Sequence, residues 1–143
     1  MINTANIKFL ILFITLFSIP VVSFAGNENS KKEAEKSAMS WLTLVDNGDY
    51  GKSWDEAAIL FQKAISKEDW VKTIKGVRPP LGEVEKRKFE SATYMTEVPG
   101  APDGEYVVIQ YFTVFSNKAS AIETITPMKE KDGSWKVSGY YIK

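Results

Sequence analysis

The chain has 143 residues, with 18 basic and 18 acidic side chains, 44% hydrophobic residues, no histidine and no cysteine. This length suits one domain around one core, and the balanced charge exerts no long-range pull on nucleic acid or an anionic membrane. Without His or Cys the composition excludes His–Asp bases, Ser–His and Cys–His nucleophiles, disulfide staples and zinc-type metal sites.

Residues 1–25 read as a cleaved signal peptide. Lys8 supplies the positive start, Phe9 to Val22 is apolar apart from Thr15, Ser18 and Pro20, and Ser23-Phe24-Ala25 offers small residues at the cleavage positions. The apolar run is short for a spanning helix, and no Cys follows it to accept a lipid. Export to the periplasm, or otherwise secretion, is therefore expected, with no membrane association after cleavage. Residues 26–30 are expected to be a short polar tether, and residues 31–143 a single domain.

From Lys31 to Asn47, Ala34, Ala38, Trp41, Leu42 and Val45 recur at helical spacing, and Asn47-Gly48 supplies a stop. Asp49 is expected to cap a second helix whose buried stripe is Tyr50, Trp54, Ala57, Ala58 and Phe61. Ser66 and Asp69 form a capping-box pattern for a third helix, through Trp70, Val71 and Ile74 to Gly76. Pro79-Pro80-Leu81-Gly82 reads as a rigid connector.

Beyond it the period shortens. Residues 84–97, 105–116, roughly 119–129 and 135–142 are rich in Thr, Val, Ile, Phe and Tyr. They are separated by the Pro99–Gly104 turn cluster, Asn117-Lys118 and Asp132-Gly133. Short turns make neighbouring strands antiparallel. The expected fold is α+β, with three N-terminal helices packed on a curved four-stranded antiparallel sheet. Strand 105–116 is apolar on both faces, so a homodimer through the sheet is expected to cover the side away from the helices.

Several motifs together resemble a known family. They are Trp41-Leu42-x-Leu44-Val45-Asp46-x-Gly48-x-Tyr50 with Ser53-Trp54 and Ala57-Ala58; Arg78-x-Pro80-Leu81-Gly82 with Arg87; Pro99 to Tyr106; and Asp132-Gly133-x-Trp135-x-Val137-x-Gly139-Tyr140-Tyr141. The chain resembles the exported bacterial proteins catalogued as domain of unknown function 4019. That resemblance implies a fold similar to nuclear transport factor 2 and the cystatin-like superfamily, a cone of bent sheet around helices with a pocket. It implies no activity.

Without His, a carboxylate base helped by a Tyr hydroxyl remains chemically possible, as in the ketosteroid isomerase pattern. Glu123 is the candidate base, since it alternates with Ala121 and Ile125 on one strand face, and Tyr111 or Tyr50 is the candidate hydroxyl. The competing reading is that Glu123 is solvated or paired with Lys or Arg. Arg78 and Arg87 are the only arginines among the 18 basic residues. Arginine suits bidentate anion recognition, which makes them candidate ligand-binding residues with Tyr50, Tyr111 and Tyr140. The structural alternative has them fastening the connector through Glu83, Glu85 or a helix C-terminus. Trp41, Trp54 and Trp135 read as core, and the Asp46–Asp49 run as helix punctuation and not a calcium loop.

The expected function is a noncatalytic exported domain. It binds a small apolar or anionic ligand, or an envelope protein, through the cone pocket or sheet face. An isomerase- or lyase-type pocket enzyme and a structural dimerisation module are the alternatives. No cofactor, metal or nucleic acid is expected.

Overall fold

The computed structural model describes residues 24–143. The expected signal peptide lies outside the described residues, except for its last two positions. Among the described residues no helix is long and apolar enough to cross a membrane.

The fold is α+β, with four helices preceding four strands: α1 (Phe24–Asp46), α2 (Tyr50–Asp55), α3 (Ile59–Ala64), α4 (Lys67–Leu81), β1 (Val84–Met95), β2 (Tyr106–Phe115), β3 (Lys118–Lys129) and β4 (Trp135–Ile142). The sheet is an antiparallel meander in the order β1-β2-β3-β4, as short turns require. Its register shifts once in β2–β3 and once in β3–β4, and twice in β1–β2. Irregularities of this kind bend and twist a sheet locally.

Three helical expectations need correction. Residues 26–30 form part of α1 and not a separate tether, and Ser30 is buried there. The expected second helix is divided into α2 and α3. Ala58 is extended (φ −60°, ψ 151°), and its N–H donates to the Val137 carbonyl of β4 at 2.8 Å. A tertiary hydrogen bond thus replaces a helical one, although the predicted stripe of Tyr50, Ala57, Ala58 and Phe61 is still buried. Asp49 occupies the N-cap position of α2 without a side-chain cap bond.

The third correction concerns Gly76 and the Pro79–Gly82 segment. The helix runs past Gly76 and through both prolines to Leu81. Proline removes an N–H donor, but here the other end of the turn is held from outside. Asn117 donates its N–H to the Leu81 carbonyl at 2.9 Å and its amide to the Pro80 carbonyl at 3.1 Å. Gly82 ends the helix at φ 80°, and a Cβ there would stand 1.9 Å from Ser116 Oγ. The segment is therefore the last turn of α4 pressed against the β2–β3 turn.

Other local signals behave as their chemistry dictates. Gly48 stops α1 at φ 77°. Ser66 Oγ accepts the Asp69 N–H at 3.1 Å and donates to the Asp69 carboxylate at 2.8 Å.

The helices cover one face of the sheet. On β2 that inner face is Val107, Ile109, Tyr111, Thr113 and Phe115, all buried. Opposite them, α1 places Ala34, Ala38, Trp41, Leu42 and Val45 in the core. Trp41 meets Trp70 at 5.8 Å, Phe61 at 6.2 Å and Tyr140 at 5.3 Å between ring centres. All four indole N–H groups find acceptors: Trp41 on the Ser53 carbonyl, Trp54 on the Ile65 carbonyl, Trp70 on Ser53 Oγ and Trp135 on Glu33. Aromatic side chains thus fill the space between helices and sheet.

Candidate functional site

Strand register assembles the polar residues of the inner face. Arg87 lies opposite Thr113, and Thr113 lies opposite Ala121, two residues from Glu123. Glu123 pairs with Tyr111 on one side and Ile142 on the other, so Tyr140 is its diagonal neighbour across β3–β4. Diagonal neighbours on one face are within reach of long side chains. The carboxyl of Glu123 therefore sits at the convergence of three strands, with Arg87, Thr113 and Tyr140 aimed at it.

Glu123 is fully buried, and it is the only buried acid among the described residues. Arg87 Nε donates to Oε1 at 2.7 Å and Arg87 Nη2 to Oε2 at 3.2 Å. The Thr113 hydroxyl donates to Oε1 at 2.5 Å and the Tyr140 hydroxyl to Oε2 at 2.5 Å. Each oxygen therefore accepts one bond from the guanidinium and one from a hydroxyl. A buried carboxylate is tolerable only with such a set of partners.

The network continues outward through Asp46, the last residue of α1. Its side chain, 24% exposed, accepts from Arg87 Nη1 at 2.7 Å and Nη2 at 3.0 Å, and from Arg78 Nη2 at 3.1 Å. Arg78 also donates through Nη1 to the Gly82 carbonyl at 3.1 Å, and its guanidinium lies 4.6 Å from the centre of the Phe115 ring. Two arginines thus alternate with two acids and tie the end of α1 to α4, β1 and β3. We call this group the ionic knot.

The titration of its members follows from these contacts. Burial acts to lower the Arg87 pKa, but the hydrogen bonds to Asp46 and Glu123 outweigh it, and the guanidinium ends above its ordinary value. Tyr140 is pushed well above the usual phenol value by burial and by the adjacent Glu123 charge. Tyr111 is raised to about 12 by burial, with Glu35 adding to it. Its buried hydroxyl has no hydrogen-bond partner, and Phe89 packs edge-on at 6.1 Å between ring centres.

A catalytic base needs a lone pair that can reach a substrate proton. Here the protein's own donors occupy both Glu123 oxygens, and Tyr140 is committed to the same carboxylate. Tyr50, the first residue of α2, is buried, and its carbonyl accepts from the Ser53 hydroxyl at 2.7 Å. Three grooves on the described residues are lined by other side chains. The structure therefore brings Glu123, Arg87 and Tyr140 together, with Arg78 one step away, but around one another and not around an opening. Among the described residues no group of three acids is placed to hold a metal.

Two members carry no mark of their role in the sequence: Asp46 reads as helix punctuation, and Thr113 lies within the apolar strand 105–116. The scarcity of arginine was the available signal, since two arginines near a core require acidic partners. Of the expected partners, Glu83 and Glu85 are exposed and take no part, whereas helix C-termini do, through the Gly82 carbonyl capping α4 and Asp46 at the end of α1.

The family described as Protein of unknown function (DUF4019) matches residues 37–140, a span that contains every member of the knot. No curated protein matches the chain.

Proposed function

The chain belongs to the DUF4019 family, and we propose that it serves as an exported, noncatalytic binding domain. The observation that carries this reading is the saturation of Glu123. The one buried acid among the described residues is fully occupied in joining its own strand β3 to β1, β2 and β4, so the isomerase-like scheme lacks a free base. An enzyme built on Glu123 would first have to displace Arg87 and a hydroxyl from the same oxygen.

Export rests on the N-terminal pattern around Lys8, the apolar run and Ala25. A bent sheet wrapped on helices, as in nuclear transport factor 2, is supported by the helix-then-meander order and by the four register shifts. The partner we favour at the sheet is a second copy. On the outer face Phe112, Val114 and Ile122 are only half-buried, and Tyr141 beside them is 57% exposed.

Native mass spectrometry of the mature protein recovered from the exporting cell tests the reading. A retained small molecule, or a complex with a second chain, supports it. A bare monomer at every concentration, together with turnover lost in Glu123→Gln and kept in wild type, overturns it.

A further inference from the structure

A groove of about 620 Å³ lies at the C-terminal end of β3, beyond Glu123, between α3, the β1–β2 loop and the β3–β4 turn. Its volume falls within the range of about 300–1,000 Å³ usual for small-molecule sites. The walls expose mainly carbon, from Ile59, Leu60, Pro102 and Met128. Ile59 is 56% exposed, the highest value but one among the large exposed hydrophobics. Its position is fixed, because its N–H donates to Glu130 Oε1 at 2.8 Å as α3 begins.

The charges around this apolar floor are not equivalent. Glu130 is engaged by the Ile59 N–H. Asp132 Oδ1 accepts both the N–H and the hydroxyl of Ser134, at 2.9 and 2.6 Å, which holds its carboxyl below the ordinary value. By contrast Lys63, Lys131 and Lys136 line the groove and, among the described residues, make no ion pair or hydrogen bond through their side chains. Asp103 also lines the groove and makes no side-chain bond among the described residues, but with Lys129 the rim carries four lysines against three acids, and three of those lysines are unpaired above a greasy floor. A ligand complementary to both has an apolar chain and one anionic head.

We propose that this groove binds a free single-chain amphiphile with an anionic head, its chain against Ile59, Leu60 and Met128 and its head among Lys63, Lys131 and Lys136. This assignment rests on the binding-domain reading and gives it a location and a ligand class. The second copy on the outer sheet face is a separate matter.

The test is calorimetric titration of the mature protein with dodecanoate, with dodecanol and dodecyltrimethylammonium as neutral and cationic controls. One dodecanoate per chain is expected, at least tenfold tighter than either control. Ile59→Asp and the double variant Lys63→Glu/Lys131→Glu should each weaken it at least tenfold, with melting temperatures within two or three degrees of wild type. Equal binding of dodecanol, unchanged binding in Ile59→Asp, or binding only to anionic phosphatidylglycerol vesicles and not to free dodecanoate overturns the assignment. So does no dodecanoate binding at all, a result that leaves the binding-domain reading standing, since that reading depends on the Glu123 contacts and on what the protein carries from the cell.

Discussion

The middle of β3 and its C-terminal end use charge in opposite ways. At the middle Glu123 is sealed from water, and the Arg87, Thr113 and Tyr140 donors that reach it are committed to its two oxygens. Five residues along, about 17 Å away at strand spacing, Met128 and Lys129 border a groove whose floor is apolar and whose lysines are largely unengaged. The first arrangement holds elements of the fold together and leaves nothing over for a ligand. The second contributes little to the fold and keeps its interactions available. An acid in a core is thus no sign of chemistry by itself. What matters is whether its lone pairs are spent.

This contrast can be broken most sharply at the knot. Glu123→Ala leaves the Arg87 guanidinium and two hydroxyls facing a cavity, and should cost about 3–5 kcal/mol of unfolding free energy in chemical denaturation. A loss below about 1 kcal/mol would mean that the carboxylate is not integral to the fold. Next in size is a pair of variants on the two strands that flank β3. Tyr140→Phe removes a 2.5 Å bond to a charged acceptor and should cost about 1.5–3 kcal/mol. Tyr111→Phe removes a buried hydroxyl that has no partner, so its melting temperature should stay the same or rise. The opposite order would refute the contact assignments.

Alkaline pH sharpens the same point. Tyr111 and Tyr140 hold their protons more tightly in the folded chain than the ordinary phenol value near 10. Between that value and about 12, where Tyr111 titrates when folded, the unfolded chain binds fewer protons than the folded one. Stability from these groups is therefore complete below pH 10 and falls as pH rises toward 12. Denaturant midpoints measured across that range should decline, and by less in Tyr111→Phe. The smallest effect belongs to the groove. Ile59→Asp should change stability by no more than about 0.5 kcal/mol, because its side chain is mostly exposed.

Local chemistry made much of the fold legible. Thr, Val, Ile and aromatic residues between tight turns marked all four strands to within about two residues. Ser66 and Gly48 marked helix ends through bonds that span only a few residues. What escaped sequence reading depends on distant partners. The α2–α3 break is made by the Val137 carbonyl, and the passage of α4 through Pro79 and Pro80 is held by Asn117. At the candidate site, Glu123 was noticeable as an acid among apolar neighbours, and Arg78 and Arg87 as rare residues. Their shared partner Asp46 lies 41 positions from Arg87, at the end of a helix that the sequence could not dock onto the sheet. The groove was missed for the same reason, since Ile59 and Met128 meet only in the folded chain.

The central claim is that Glu123 is structural and closed to solvent. Carbodiimide coupling of glycine ethyl ester to the native protein at mildly acidic pH, read by peptide mass mapping, tests it directly. Exposed acids such as Glu85 and Glu90 should be modified while Glu123 stays unlabelled until denaturant unfolds the chain. Labelling of Glu123 in the native protein at a rate comparable to Glu85 would contradict the account and reopen the case for an accessible base.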